Sequence, residues 1–166
     1  RVMRTIVWDI DDVLNDLMNE WFKDWKKSNP QVEISYDDLS ENPPHFLLGI
    51  SFEDYQRSLD QFRKQHYSEL QPIADVLEWF EACGKDARHL TLSAVPVDGA
   101  HVSAQWVMRY FSRWIRGFHF IPSKRNGIQA AEYDRTKTEF LKRVGGVDIF
   151  IDDSPGLSIY EMRTRA

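Results

Sequence analysis

The stretch TIVWDIDDVLND, residues 5–16, carries the reading of this chain. Its first half, TIVWD, is a short run of β-branched and aromatic residues, the composition of a strand buried on both faces. Asp9 then falls at the carboxyl end of that strand. Asp11 follows two positions on and Asp12 comes directly after it, so three carboxylates crowd one strand end. Like charges set this close repel unless something binds between them. Oxygen donors in a dry crevice suit Mg²⁺, which takes one or two carboxylates and completes its shell with water and substrate phosphate.

Three more runs have the same strand composition: RHLTLS (88–93), GFHFI (117–121) and VDIFID (147–152). Helical patterns separate them. Val102, Trp106, Val107, Tyr110, Phe111 and Trp114 recur at steps of three and four and line one helix face. Strand, helix, strand alternation predicts an α/β fold: a doubly wound, Rossmann-like parallel sheet with helices on both faces. The ligand crevice of such a sheet lies outside the carboxyl ends of its strands. Asp9, Ser93 and the pair Asp152 and Asp153 would all be delivered there.

Residues 15–70 break the rhythm, since no strand-like run appears where a connection is normally short. The interval is expected to be an inserted helical cap, leaving 1–14 and 71–166 as the α/β core. Val13, Leu14, Leu17, Met18, Trp21, Phe22 and Trp25 predict a first helix that stops at Ser28, Asn29 and Pro30. The aromatic stripe Trp21, Phe22 and Trp25 reads as cap core rather than as a stacking platform. Ser51 with Asp54 resembles a capping box opening a second helix, striped by Phe52, Tyr55, Leu59 and Phe62. Asn42, Pro43 and Pro44 mark the loop between the two. Ile73, Val76, Leu77 and Phe80, closed by Gly84, predict a helix that returns the chain to the sheet.

Composition bounds the functions open to such a domain. With 166 residues and 42% hydrophobic content the chain can bury a sizeable core. A net charge of -5 argues against bulk nucleic acid as a partner, while leaving a small phosphorylated substrate open if a metal ion supplies local positive charge. The single cysteine, Cys83, excludes an internal disulfide and points to a reducing, cytoplasmic setting. No stretch approaches the roughly 18 apolar residues of a membrane span. The five histidines share no metal-ligand spacing. Oligomeric state leaves no mark on the sequence.

Phosphoryl transfer needs a nucleophile, a proton donor for the leaving oxygen and positive charge around the transferred group. Asp9 can attack phosphorus, and Asp11 can protonate the leaving alkoxide and later deprotonate water. Ser93 can donate to a phosphoryl oxygen. Lys137, opening the helix RTKTEFLKR (135–143), can aim its ammonium at the same place, with Lys124 the alternative.

In this order the residues resemble the haloacid dehalogenase-like superfamily of phosphohydrolases over nearly the whole chain. WDIDDVLND is similar to its first motif, HLTLSAVP (89–96) to its second, RTKTEFLKR to its third and VDIFIDDSP (147–155) to its fourth. The resemblance implies Asp9 as nucleophile, Asp11 as acid/base with its backbone carbonyl on the metal, and Ser93 and Lys137 as phosphate contacts. It implies Asp152 as a Mg²⁺ ligand and Asp153 as support for the metal shell. Val13 and the phrase VLND look like the 5'-nucleotidase (deoxyribonucleotidase) branch. Two departures stand out: Asp12 replaces the family's usual glycine, and the chain is expected to stop short of the core strand that usually follows the fourth motif. Both leave open a catalytically impaired protein that binds a phosphorylated ligand or partner.

Overall fold

The computed structural model describes residues 2–153 and the pair Tyr160–Glu161. Ser154 and Pro155, which close the fourth motif, lie outside the described residues. By its internal packing the chain divides into two compact units, one of residues 1–16 with 71–166 and one of residues 17–70.

In the larger unit, β1 (Arg4–Trp8), β2 (Ala87–Val95), β3 (Ile115–Pro122) and β4 (Ile149–Ile151) run parallel, and β5 (Tyr160–Glu161) pairs antiparallel to β4 at the edge. Their order is β3-β2-β1-β4-β5. The chain therefore steps outward from β1 to β2 to β3, then crosses back over the sheet to reach β4. Right-handed crossovers in opposite directions put helices on opposite faces. The strand after the fourth motif is thus present among the described residues, but as a two-residue antiparallel pair rather than another parallel core strand.

Packing shows the two faces. On one, Trp79 and Phe80 of the helix Ala74–Cys83 pack on Trp8 and His89, and Phe111 of the helix Ala100–Phe111 packs on Phe80. Phe80 lies 4.9 Å from the Trp8 ring, 4.9 Å from His89, 5.2 Å from Phe111 and 5.4 Å from Trp114. A side chain at Gly84 would meet Trp114 at 2.6 Å, so glycine permits that close approach. Trp8 Nε1–H donates to His89 Nδ1 at 3.0 Å, which leaves Nε2 as the protonated nitrogen that donates to the Gly84 carbonyl at 2.7 Å. The buried imidazole is held neutral: burial lowers its pKa, and the bond to Gly84 only partly opposes this. On the other face the helix Lys137–Val144 packs Phe140 and Leu141 against Val7, Leu92, Ile121, Val147 and Phe150.

The smaller unit is helical. Numbered along the whole chain, its helices are α1 (Leu17–Ser28), the short α2 (His45–Leu48) and α3 (Phe52–His66), and those of the larger unit become α4 (Ala74–Cys83), α5 (Ala100–Phe111) and α6 (Lys137–Val144). Ser51 caps α3, its hydroxyl accepting from the Asp54 amide at 3.0 Å. Trp21 and Phe22 are buried, with Trp21 edge-on to Tyr55 at 5.3 Å and its Nε1–H donating to Ser58 Oγ at 3.0 Å. The first helix begins four residues later than its apolar pattern suggests. Val13 and Leu14 belong instead to a turn whose amides both return to the Ile10 carbonyl. No described helix is long and apolar enough to cross a membrane.

Candidate active site

Because β1 and β4 are adjacent and parallel, their carboxyl ends set Asp9 and Asp152 side by side. Asp9 continues the ladder one step beyond β1, its amide donating to the Ile151 carbonyl at 2.8 Å. By strand alternation Asp9 faces the same side as Val7, and Asp152 the same side as Phe150, which is the side that α6 covers. Thr136 caps α6 by accepting from the Glu139 amide at 3.1 Å, and Lys137 is the first residue of the helix. Its Nζ lies 3.2 Å from Asp9 Oδ2 and 3.1 Å from Asp152 Oδ2. Lys124, beyond β3, is exposed.

Asp9, Asp152 and Asp153 each offer a carboxylate oxygen, and these lie within 4.8 Å of one another. Asp9 and Asp152 are buried while Asp153 is exposed. Burial pushes the Asp9 carboxyl up to about 9; Lys137 opposes the shift, and the neighbouring Asp152 and Asp153 add to it. Burial raises Asp153 as well. Asp152 ends below its usual range, because hydrogen bonds from Asp9 and Asp153 together with the Lys137 ammonium outweigh its own burial. Lys137 is raised: burial works against its charge, and Asp9 and Asp152 overcome it. One ammonium thus faces three crowded acids, and protons fill the deficit of positive charge. A divalent cation would replace those protons, and an all-oxygen, partly buried donor set of this kind fits Mg²⁺.

Asp11 is placed differently. Its Oδ1 accepts from Asn15 Nδ2 at 3.2 Å, and its side chain is not part of the three-carboxylate group. Asp12 sits at φ 63°, the left-handed region in which glycine is strain-free and aspartate is among the better-tolerated alternatives. Asp12 therefore holds a left-handed position that glycine would also fill. Ser93 is buried within β2, paired in register with Phe120 of β3. One step past the Asp9 level, it stands on the face shared with His89 and Thr91 by strand alternation. The structure thus brings Asp9, Asp152, Asp153 and Lys137 together, while Asp11 lies in the turn after β1 and Ser93 lies two residues inside the end of β2, on the other face of the sheet.

Asn15 is a residue that pattern reading passed over. It is wholly buried, and its Oδ1 accepts from the Asp12 amide at 3.3 Å. The available signal was its spacing, four residues after Asp11 and directly after the apolar pair Val13 and Leu14.

No family profile and no curated protein sequence matches the chain. Solved structures do. The chain is similar to a haloacid dehalogenase-like family hydrolase from Streptococcus pneumoniae, with a TM-score of 0.53 at 10% identity over 86% of this chain and 68% of that one. Lower scores relate it to a second Streptococcus pneumoniae hydrolase, with a TM-score of 0.49 at 10% identity over 71% and 66% of the two chains. The magnesium-bound HAD-hydrolase YfnB from Bacillus subtilis gives 0.45 at 10% identity over 72% and 64%. The first likeness shows a shared Rossmann-like α/β fold; at this identity it transfers no residue roles.

Proposed function

We propose that the protein is a Mg²⁺-dependent phosphomonoesterase that works through an aspartyl-phosphate on Asp9, with a small phosphorylated metabolite as substrate. The observation that carries this reading is the Lys137 ammonium set between Asp9 and Asp152 beside Asp153 at the carboxyl edge of the sheet. In this mechanism an Asp9 carboxylate oxygen bonds to phosphorus as the bond to the ester oxygen breaks. Asp11 gives its proton to the departing alkoxide, then takes one from the water that hydrolyses the acyl-phosphate. Lys137 and the Ser93 hydroxyl hold phosphoryl oxygens. Asp9, Asp152, Asp153 and the Asp11 backbone carbonyl would hold the cation, which neutralises phosphoryl charge and keeps Asp9 ionised.

Asp12 keeps the left-handed conformation of the turn, so the backbone that carries Asp11 has the form this reading needs. Nucleotides, deoxynucleotides first, are the substrate class to test, on the strength of the VLND phrase. The test is phosphate release from p-nitrophenyl phosphate and a panel of nucleotides and sugar phosphates, with and without Mg²⁺. Cation-dependent turnover lost in Asp9→Asn is expected. Turnover that survives that substitution, or none on any substrate, overturns the reading.

A further inference from the structure

We propose that Asn15 is the positioning residue of the acid/base: its amide donates to Asp11 Oδ1 and thereby fixes the orientation in which the Asp11 carboxyl exchanges a proton with the substrate. The proposal rests on the reading of the site given above, because it presumes that Asp11 exchanges that proton.

Asn15 is 0% exposed, and an amide so buried is retained only with its polar atoms engaged. Its orientation follows from its partners. The Asp12 amide can only donate, so it faces Asn15 Oδ1 at 3.3 Å; Nδ2 is then the group 3.2 Å from Asp11 Oδ1. Flipping the amide would set donor against donor and oxygen against carboxylate. One side chain therefore spans both consecutive aspartates, taking the backbone of one and the carboxylate of the other.

The backbone that carries Asn15 is anchored apart from the turn it serves. Asn15 forms an antiparallel bridge with Pro72, and the Ile73 amide donates to the Leu14 carbonyl at 2.9 Å. The outgoing and returning chains thus brace one another where residues 17–70 begin and end, and Asn15 reaches back from this brace to Asp11. Val13 and Leu14 close on the Ile10 carbonyl, so the turn itself is short and held.

A turn staple alone would need only the Oδ1 arm, which an aspartate or serine at 15 also supplies. The Nδ2 arm to Asp11 is what distinguishes asparagine, and it defines the test. Asn15→Asp is nearly isosteric, keeps an acceptor for the Asp12 amide and deletes the donor to Asp11; Asn15→Ser is the second variant should the first unfold. Protonation of the leaving oxygen matters for an alkyl phosphate and little for p-nitrophenyl phosphate, whose phenolate departs unaided. General acid catalysis contributes about 10²–10⁴-fold, so a misplaced acid should cost kcat on an alkyl monoester about 10-fold or more at nearly unchanged KM. The loss on p-nitrophenyl phosphate should be under about 3-fold, and Asn15→Asp should add nothing in an Asp11→Ala background. Equal losses on both substrates, or full additivity with Asp11→Ala, overturn the proposal. If the unmodified protein hydrolyses no phosphomonoester, the reading of the site fails separately. Crystal structures of the parent and of Asn15→Asp then decide: a displaced Asp11 carboxylate in the variant supports positioning, and an unmoved one overturns it.

Discussion

Trp8 and Asp9 are neighbours in sequence, yet they enter opposite environments. Trp8 faces α4, where its ring packs on Trp79 and Phe80, and its indole N–H is satisfied by His89. Asp9 faces α6, where three acids share one ammonium. The aromatic side meets the demands of a core: volume filled, polar groups paired, a histidine kept neutral. The acidic side pairs only part of its charge, since Lys137 is one ammonium against three acids and burial pushes the Asp9 carboxyl up to about 9. One strand end therefore separates a paired aromatic core from an acidic cluster by the alternation of its side chains. The acids crowd where a divalent cation would offset their charge.

That contrast can be broken at several points. The largest effect should come from Asp9→Asn, which is expected to lower phosphatase kcat by about 10³-fold or more. The same substitution should raise the thermal midpoint in chelator and remove the stabilisation by added Mg²⁺, both read by calorimetry. On the other face, Phe80→Ala should cost about 3–5 kcal/mol in urea unfolding, because Phe80 is wholly buried among Trp8, His89, Phe111 and Trp114.

A smaller effect attaches to His89. Its folded pKa lies below the unfolded value, so the unfolded chain binds the extra proton first, and stability falls as pH drops through the mid-sixes toward the folded pKa. Protonation would also set a second N–H against the Trp8 indole. Thermal midpoints measured from pH 7.5 down to pH 5.5 should therefore decline, and less steeply in His89→Gln. The smallest change is expected from Asp12→Gly, which relieves the left-handed strain and gains less than about 1 kcal/mol while keeping the backbone bond to Asn15. A loss of stability there would show that the Asp12 side chain carries part of the turn.

Much of the architecture was readable in advance because it follows from local pattern. Each parallel strand lies on a run chosen for its composition, since a strand covered on both faces must be apolar throughout. The loss of strand and helix alternation after Leu14 predicts an inserted element over residues 15–70; by internal packing, residues 17–70 form a compact unit of their own. The start of α1 was misread because Val13 and Leu14 continue its apolar spacing. They are buried or half-buried as parts of a turn, and burial alone does not distinguish a turn from a helix.

The sequence by itself determined which residue types stand at which strand ends, and so the candidates Asp9, Asp11, Ser93, Lys137, Asp152 and Asp153. Tertiary structure alone decided which of them meet. The return of the chain from β3 across the sheet makes β4 the neighbour of β1, and this puts Asp152 beside Asp9, 143 positions away in sequence, with Lys137 in reach of both. It also gave Asn15 its place. The reason is physical: strand composition reports burial, which is local, whereas strand order and side-chain pairing are settled by how distant segments share one core.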